Sequence, residues 1–172
     1  FTDRRQRQMC IRDRFYTLHA ISTLVFDSVS YKNVVSNGLV LDKNGQKMSK
    51  RLGNAIDPFK TLSDFGPDAT RWYMISNSNP WDNLKFDLEG VDEIRRKFFG
   101  TLYNTYSFFA LYANIDKFTY DENEIEFDER PELDRWILSE LNSLINNVDE
   151  FYNDYEPTKA ARAINNLSLI HI

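Results

Sequence analysis

Residues 33–54 read NVVSNGLVLDKNGQKMSKRLGN, and the order of features within them sets the local fold. The first nine, 33–41, are rich in valine and leucine and predict a buried strand. Asp42-Lys43-Asn44-Gly45 then supplies turn chemistry, because asparagine and glycine tolerate positive φ. A basic loop follows: Lys47, Lys50 and Arg51 fall within five residues, with Gly45 and Gly53 on either side.

Charge alone leaves that loop with two readings. One is a solvated basic turn or a localisation-like patch. The other is a phosphate clamp, in which mobile lysines close over a polyphosphate and neutralise the charge that builds on a departing pyrophosphate. Lysine suits the second task because its ammonium is a compact charge on a flexible stem. Glycine lets the loop swing and the backbone approach a ligand. The string is not a Walker-type loop, since it lacks that motif's glycine spacing before Gly-Lys-Ser/Thr.

Outward from the loop, helical signals dominate. Upstream, Phe15, Leu18, Ile21, Leu24 or Val25, and Val29 recur at helical spacing, predicting a helix over 15–29 that contains His19. Downstream, Asp57-Pro58 and Gly66-Pro67-Asp68 are helix-start signals, the second opening a helix to about Ser76. Residues 77–83 hold Pro80 and three asparagines and predict a loop. A long amphipathic helix follows at 90–114, with Val91, Ile94, Phe98, Leu102, Tyr106, Phe109 and Ala113 as its apolar stripe. Its aromatics suit either base stacking or a helical core, and the spacing favours core. An acidic connector, 121–132, leads to helices opened by Pro131 and Pro157. Three helices with short links predict an antiparallel bundle, and the switch to helix-only signals puts a boundary near 78–90.

Composition narrows the class. A content of 42% hydrophobic and 27% charged residues is that of a globular chain, and no apolar run reaches the ~20 residues of a membrane span. The single cysteine, Cys10, excludes a disulfide framework and predicts no multi-cysteine metal site. The net charge of −5 argues against a nucleic-acid binder, yet it is uneven. Residues 43–60 carry Lys43, Lys47, Lys50, Arg51 and Lys60 against Asp57, whereas 121–132 carry seven acids against Arg130. A concentrated basic patch still binds phosphate on an acidic protein, because screening makes the near field decisive.

The string KMSKR followed by LGN and DP resembles the second signature of the class I aminoacyl-tRNA synthetases, with Arg51 where the family usually has serine. The likeness runs from about Phe15 to Ala163. The stretches FGPDATRWYMISNSNPWDNLKFD, RRKFFGTLYNTYSFFALYAN and RPELDRWILSELN resemble the isoleucine branch; the valine and leucine branches share the loop. The resemblance implies a mostly α fragment with a small α/β part: the tail of a Rossmann-like nucleotide-binding domain followed by an α-helical bundle. Residues 15–56 would end the catalytic domain, 57–90 would be a connective region facing the tRNA stem, and 91–166 would begin the anticodon-binding bundle. It also implies ATP-dependent activation of isoleucine and transfer to tRNA(Ile), in the cytoplasm. ATP is expected as substrate with Mg2+, with no metal site in the chain itself, and neither membrane nor DNA is an expected partner.

Residue by residue, the resemblance makes Lys47 and Lys50 the catalytic phosphate holders. Met48, Ser49 and Arg51 would complete the ATP loop, and Leu39, Val40 and Leu41 would lie near the adenine. Arg95, Arg96 and Lys97 are candidates for tRNA phosphate contact or an exposed helix face. Asn54 and Asp57 are expected to fix the loop exit. The family's first signature, amino-acid pocket and editing domain do not occur in these residues, so the chain by itself is expected to be inactive, with strands and part of the helical core left bare. Residues 1–14 and 167–172 depart from the family and read as foreign tails, the first alternatively as a disordered basic arm. A valine or leucine enzyme, or a non-catalytic tRNA-binding helical module, are the alternative readings.

Overall fold

The computed structural model describes residues 15–121, 123 and 125–170, with side chains to Ser168. The expectation for residues 1–14 lies outside these. The described residues fall in two compact units, divided between Ser36 and Asn37.

In the first unit, α1 spans Phe15–Phe26. It stops short of the predicted Val29 because Asp27 takes a left-handed φ of 49°, which a helix cannot continue. The chain then turns back. The Tyr31 hydroxyl donates to the Phe15 carbonyl at 3.0 Å, and its ring meets those of Phe15 and His19 at 5.9 and 5.8 Å. His19 is thus an aromatic neighbour inside this unit.

The second unit begins with β1 (Val40–Leu41), paired in parallel with β2 (Leu84–Lys85) in the register Val40 to Leu84 and Leu41 to Lys85. The predicted strand over 33–41 shrinks to these last two residues. A strand persists only where a ladder satisfies its backbone, and just upstream the partners are not a strand: the Gly38 N–H goes to the Pro80 carbonyl and the Leu39 N–H to Asn83 Oδ1. Gly38 is required here, because a Cβ at this position would stand 2.0 Å from the Asp82 carbonyl oxygen.

Helices then build the core. The Asp57 carboxylate caps α2 (Pro58–Phe65), accepting from the N–H groups of Phe59 and Lys60 at 2.9 and 3.4 Å. Next, α3 spans Pro67–Asn77, and Asp87 caps α4 (Leu88–Ile94). Ala69, Tyr73, Leu84, Phe86 and Val91 form the buried centre, with Met48, Ile56, Phe65, Ile94 and Phe99 packed around it. Residues on both sides of 78–90 therefore share one core.

The predicted helix 90–114 is one helical run with a change of winding inside it. After α4 comes a π-helical turn, Arg95–Phe99, then α5, Gly100–Ile115. The wider turn is consistent with burial of Phe98, whose ring stacks on Trp72 at 4.5 Å with planes 10° apart. Beyond it the apolar stripe divides. Val91 and Phe98 are buried, but Leu102, Tyr106 and Phe109 are exposed, Tyr106 at 67%. The aromatics of α5 are therefore not the packed core their spacing predicts. Helical periodicity says that a face is apolar, not which element covers it.

The last two helices are α6 (Glu132–Asn153) and α7 (Pro157–Ile170). The latter extends past the predicted 166 and packs on both α6 and α3. Ala160 and Ala161 are buried small residues that allow close approach. Thr158 Oγ1 donates to the Ser78 carbonyl at 3.0 Å, and the Arg162 guanidinium donates to the Ser76 and Asn77 carbonyls at 2.9 and 3.0 Å. These groups satisfy carbonyls at and just beyond the end of α3, and Arg162 places positive charge at that helix's negative pole.

Candidate functional site

The basic loop grows directly out of β1. After Leu41 the chain makes a tight hairpin, closed by Asp42 N–H to the Gln46 carbonyl and Gly45 N–H to the Asp42 carbonyl, both at 2.9 Å. Leu41 and Lys47 form an antiparallel bridge. Gly45 has φ 81°, the left-handed geometry that the Asn-Gly pair predicts.

One carboxylate and one amide organise the turn. Asp42 is 8% exposed. Its Oδ1 accepts from the Asn44 and Gln46 N–H groups at 3.0 and 2.8 Å, and its Oδ2 from Asn54 Nδ2 at 2.9 Å. Asn54 in turn accepts from the Ser49 N–H at 2.9 Å and reaches the Lys47 carbonyl at 3.3 Å. The Asn54 amide, followed by the Gln46 N–H, holds the Asp42 carboxyl below the usual carboxylate range, against the opposing effect of its burial. Asn54 thus fixes the loop as the sequence predicted, while Asp57 acts as a helix cap.

The five residues of the string have distinct surroundings. Lys47, Lys50 and Arg51 are exposed. Met48 is partly buried against the core. Ser49 caps a 3₁₀ turn at Lys50–Leu52, its Oγ accepting from the Leu52 N–H at 3.2 Å, and Gly53 ends that turn at φ 68°. Among the described residues, none of Lys43, Lys47, Lys50 and Arg51 is in an ion pair. Lys85 joins them from β2: its Cε lies 3.3 Å from where a Cβ on Gly45 would stand. Sequence reading missed it because it lies far along the chain and only the parallel pairing brings it alongside. Helical or strand periodicity carries no signal for that.

Leu39, Val40 and Leu41 adjoin the loop as predicted, but several of their backbone groups are taken. The Leu39 and Leu41 carbonyls accept from Leu84 and Phe86 at 2.9 Å, and the Leu39 N–H is held by Asn83. Below the loop lies an apolar pocket of about 320 Å³, lined by Val40, Met48, Ile56, Leu62, Met74 and Phe86 among others.

The second basic group, Arg95, Arg96 and Lys97, lies in the π turn. Arg95 and Arg96 both pair with Asp92, and Lys97 pairs with Glu93. Hydrogen bonds from Arg95 and Lys97 respectively hold the Asp92 and Glu93 carboxyls below their ordinary values. Arg95 also lies over the Phe65 ring, 5.8 Å from its centre. These cations are partly neutralised along their own helix, unlike those of the loop.

Residues 10–87 match the family described as tRNA synthetases class I (I, L, M and V). Over 153 residues, 89% of its length, the chain is 71% identical to the isoleucine–tRNA ligase of Bacteroides fragilis. The chain belongs to the class I aminoacyl-tRNA synthetases. Over the same share it is 68% identical to the isoleucine–tRNA ligase of Porphyromonas gingivalis and 65% to that of Cytophaga hutchinsonii. It spans only 13% of the Bacteroides fragilis relative and 14% of the other two. The fold has a solved counterpart in the LeuRS of Agrobacterium radiobacter K84 agnB2, crystallised as a ternary complex with tRNA and LeuAMS. That likeness has a TM-score of 0.66 and covers 91% of this chain and 20% of that one, at 22% identity. This synthetase segment is mostly helical with a small α/β part, as its sequence predicts.

Proposed function

We propose that this chain is the part of an isoleucine–tRNA ligase that holds the triphosphate of ATP while isoleucine is activated. The observation that carries the reading is the cluster of exposed Lys47, Lys50 and Arg51, in no ion pair among the described residues, on a hairpin braced by Asp42 and Asn54. The 71% identity to an isoleucine–tRNA ligase supports the choice of amino acid. In the complete enzyme the isoleucine carboxylate attacks the α-phosphate of ATP, giving isoleucyl-adenylate and pyrophosphate, and the adenylate then acylates the 3′ end of tRNA(Ile). The loop's work is positioning and charge stabilisation. Lys47 and Lys50 neutralise the phosphates as pyrophosphate departs. The Ser49 hydroxyl hydrogen and the Arg51 guanidinium supply further donors, and Leu39, Val40 and Leu41 flank the adenine.

Mg2+ fits this arrangement as a companion of the triphosphate. Among the described residues no cluster of three or more His, Cys, Asp or Glu side chains could hold a metal ion, and Mg2+ in such sites is bound largely by substrate phosphates. Residues 15–56 would then close the catalytic domain, 57–90 connect it toward the tRNA stem, and 91–166 open the anticodon-binding bundle. Arg95, Arg96 and Lys97 reach tRNA phosphates by exchanging their exposed intrahelical partners, since such surface pairs are weak. Of the described helices none is long and apolar enough to cross a membrane; action in the cytoplasm rests on the likeness to isoleucine–tRNA ligases.

The test places Lys47→Ala and Lys50→Ala in a full-length synthetase carrying this segment. ATP–pyrophosphate exchange should fall by about 10²–10³-fold for each, with tRNA affinity kept. Exchange that survives both substitutions while tRNA affinity collapses would make the segment an RNA-binding module instead. The chain alone should show no exchange.

A further inference from the structure

We propose that Asp42 and Asn54 form a positioning latch that sets where Lys47 and Lys50 stand during pyrophosphate departure, without either latch residue touching ATP. The inference rests on the reading of the loop given above.

The geometry is specific. A single amide, that of Asn54, holds the backbone on both sides of Met48: its oxygen accepts from the Ser49 N–H at 2.9 Å and its nitrogen donates to the Lys47 carbonyl at 3.3 Å. The same nitrogen donates to Asp42 Oδ2 at 2.9 Å. Asp42 in turn grips the turn and the start of the returning arm through the Asn44 and Gln46 N–H groups. The two lysines are thus tied, through two side chains, to the strand that leads into the loop. Met48 adds an apolar anchor between the held groups.

The pair is also directional. Asp42 offers only acceptors, and Asn54 must present its nitrogen to Asp42 and its oxygen to Ser49. An amide at both positions, or a carboxylate at both, puts like groups face to face. A backbone displacement of about 1 Å at the lysines is enough to cost on the order of 10²-fold in a reaction that depends on alignment.

The experiment uses the full-length synthetase carrying this segment, with ATP–pyrophosphate exchange as the readout. Asn54→Ala should lower kcat by roughly 10- to 100-fold while the KM for isoleucine stays at its parental value and the melting temperature falls only slightly. Asn54→Asp should show the same loss at neutral pH and regain rate as pH is lowered, because a protonated carboxyl at position 54 again donates to Asp42. The reciprocal exchange, Asp42→Asn with Asn54→Asp, restores the bond between the two side chains but sets a carboxylate oxygen against the Lys47 carbonyl, so it should recover only part of the rate lost by either single change. Wild-type exchange in Asn54→Ala would overturn the latch. So would a decline of kcat matched by a parallel loss of isoleucine affinity and a large fall in melting temperature, which marks a merely structural role. If Lys47→Ala abolishes exchange while Asn54→Ala does not, the latch alone fails. If Lys47→Ala and Lys50→Ala leave exchange intact, the phosphate-holding reading fails first.

Discussion

At the scale of single residues, the side chain that organises the loop carries no positive charge. Asp42 collects two backbone N–H groups and one side-chain amide within about one hydrogen-bond length each, and its carboxyl consequently titrates below its ordinary value of 3.8. The sign of the linkage follows. A carboxylate whose folded-state pKa is depressed adds stability at every pH above the unfolded value. That contribution fades as pH falls past 3.8 and through the lower folded-state value. A carbon-13 NMR titration of the Asp42 carboxyl should therefore give a midpoint below 3.8, and Asn54→Ala should move it upward. A wild-type midpoint at or above the ordinary value would show that the hydrogen bonds do not favour the ionised form. Lys85 makes a different point at this scale. It has no motif around it, and only strand pairing places it beside Gly45.

At the scale of elements, α7 is held by contacts that its amphipathic pattern does not announce. Thr158 is 1% exposed and donates to the Ser78 carbonyl, while Arg162 takes the carbonyls of Ser76 and Asn77. Together they dock the start of α7 on the end of α3. Thr158→Val keeps the shape of the side chain and removes the donor, leaving a part-buried carbonyl short of a partner at a cost of about 1 kcal/mol. Amide exchange across 157–166 should speed up accordingly, with α2 and α4 unaffected. Unchanged protection in α7 would mean that alanine packing, not the hydroxyl, carries the docking. The helix-start signals in the sequence reflect local chemistry and appear where expected: Asp57 caps α2, Pro67 opens α3, and Pro157 opens α7. The strand predicted over 33–41 reflects long-range chemistry and does not. Its length is decided by what β2, Pro80 and Asn83 offer its backbone.

At the scale of the whole molecule, the second unit has one dense centre and one bare side. Val91 is fully buried in the cluster around Tyr73 and Phe86. Along α5, by contrast, Tyr106, Phe109 and Tyr112 face solvent beside an open groove of about 800 Å³ that Phe118 helps to line. Contiguous apolar surface of this kind binds hydrophobic dyes and drives association. The isolated chain should therefore bind an anilinonaphthalene dye and sediment heavier as its concentration rises. Tyr106→Lys with Phe109→Glu should suppress both without loss of helical circular dichroism. A monomer that binds no dye across the concentration series would show that the α5 face is covered in solution.

Local chemistry written in the chain determined the helix starts, the Asn-Gly turn at 44–45, the cation string at 47–51 and the membership in the class I synthetases, because caps, turns and motifs act within a few residues. Only the tertiary structure decided which apolar faces meet a partner, how short β1 is, that Lys85 joins the loop cations, and that Asp42 and Asn54 brace the lysines. Each of these depends on groups brought together from separate parts of the chain, and periodicity or propensity records what a residue offers, not what it will meet.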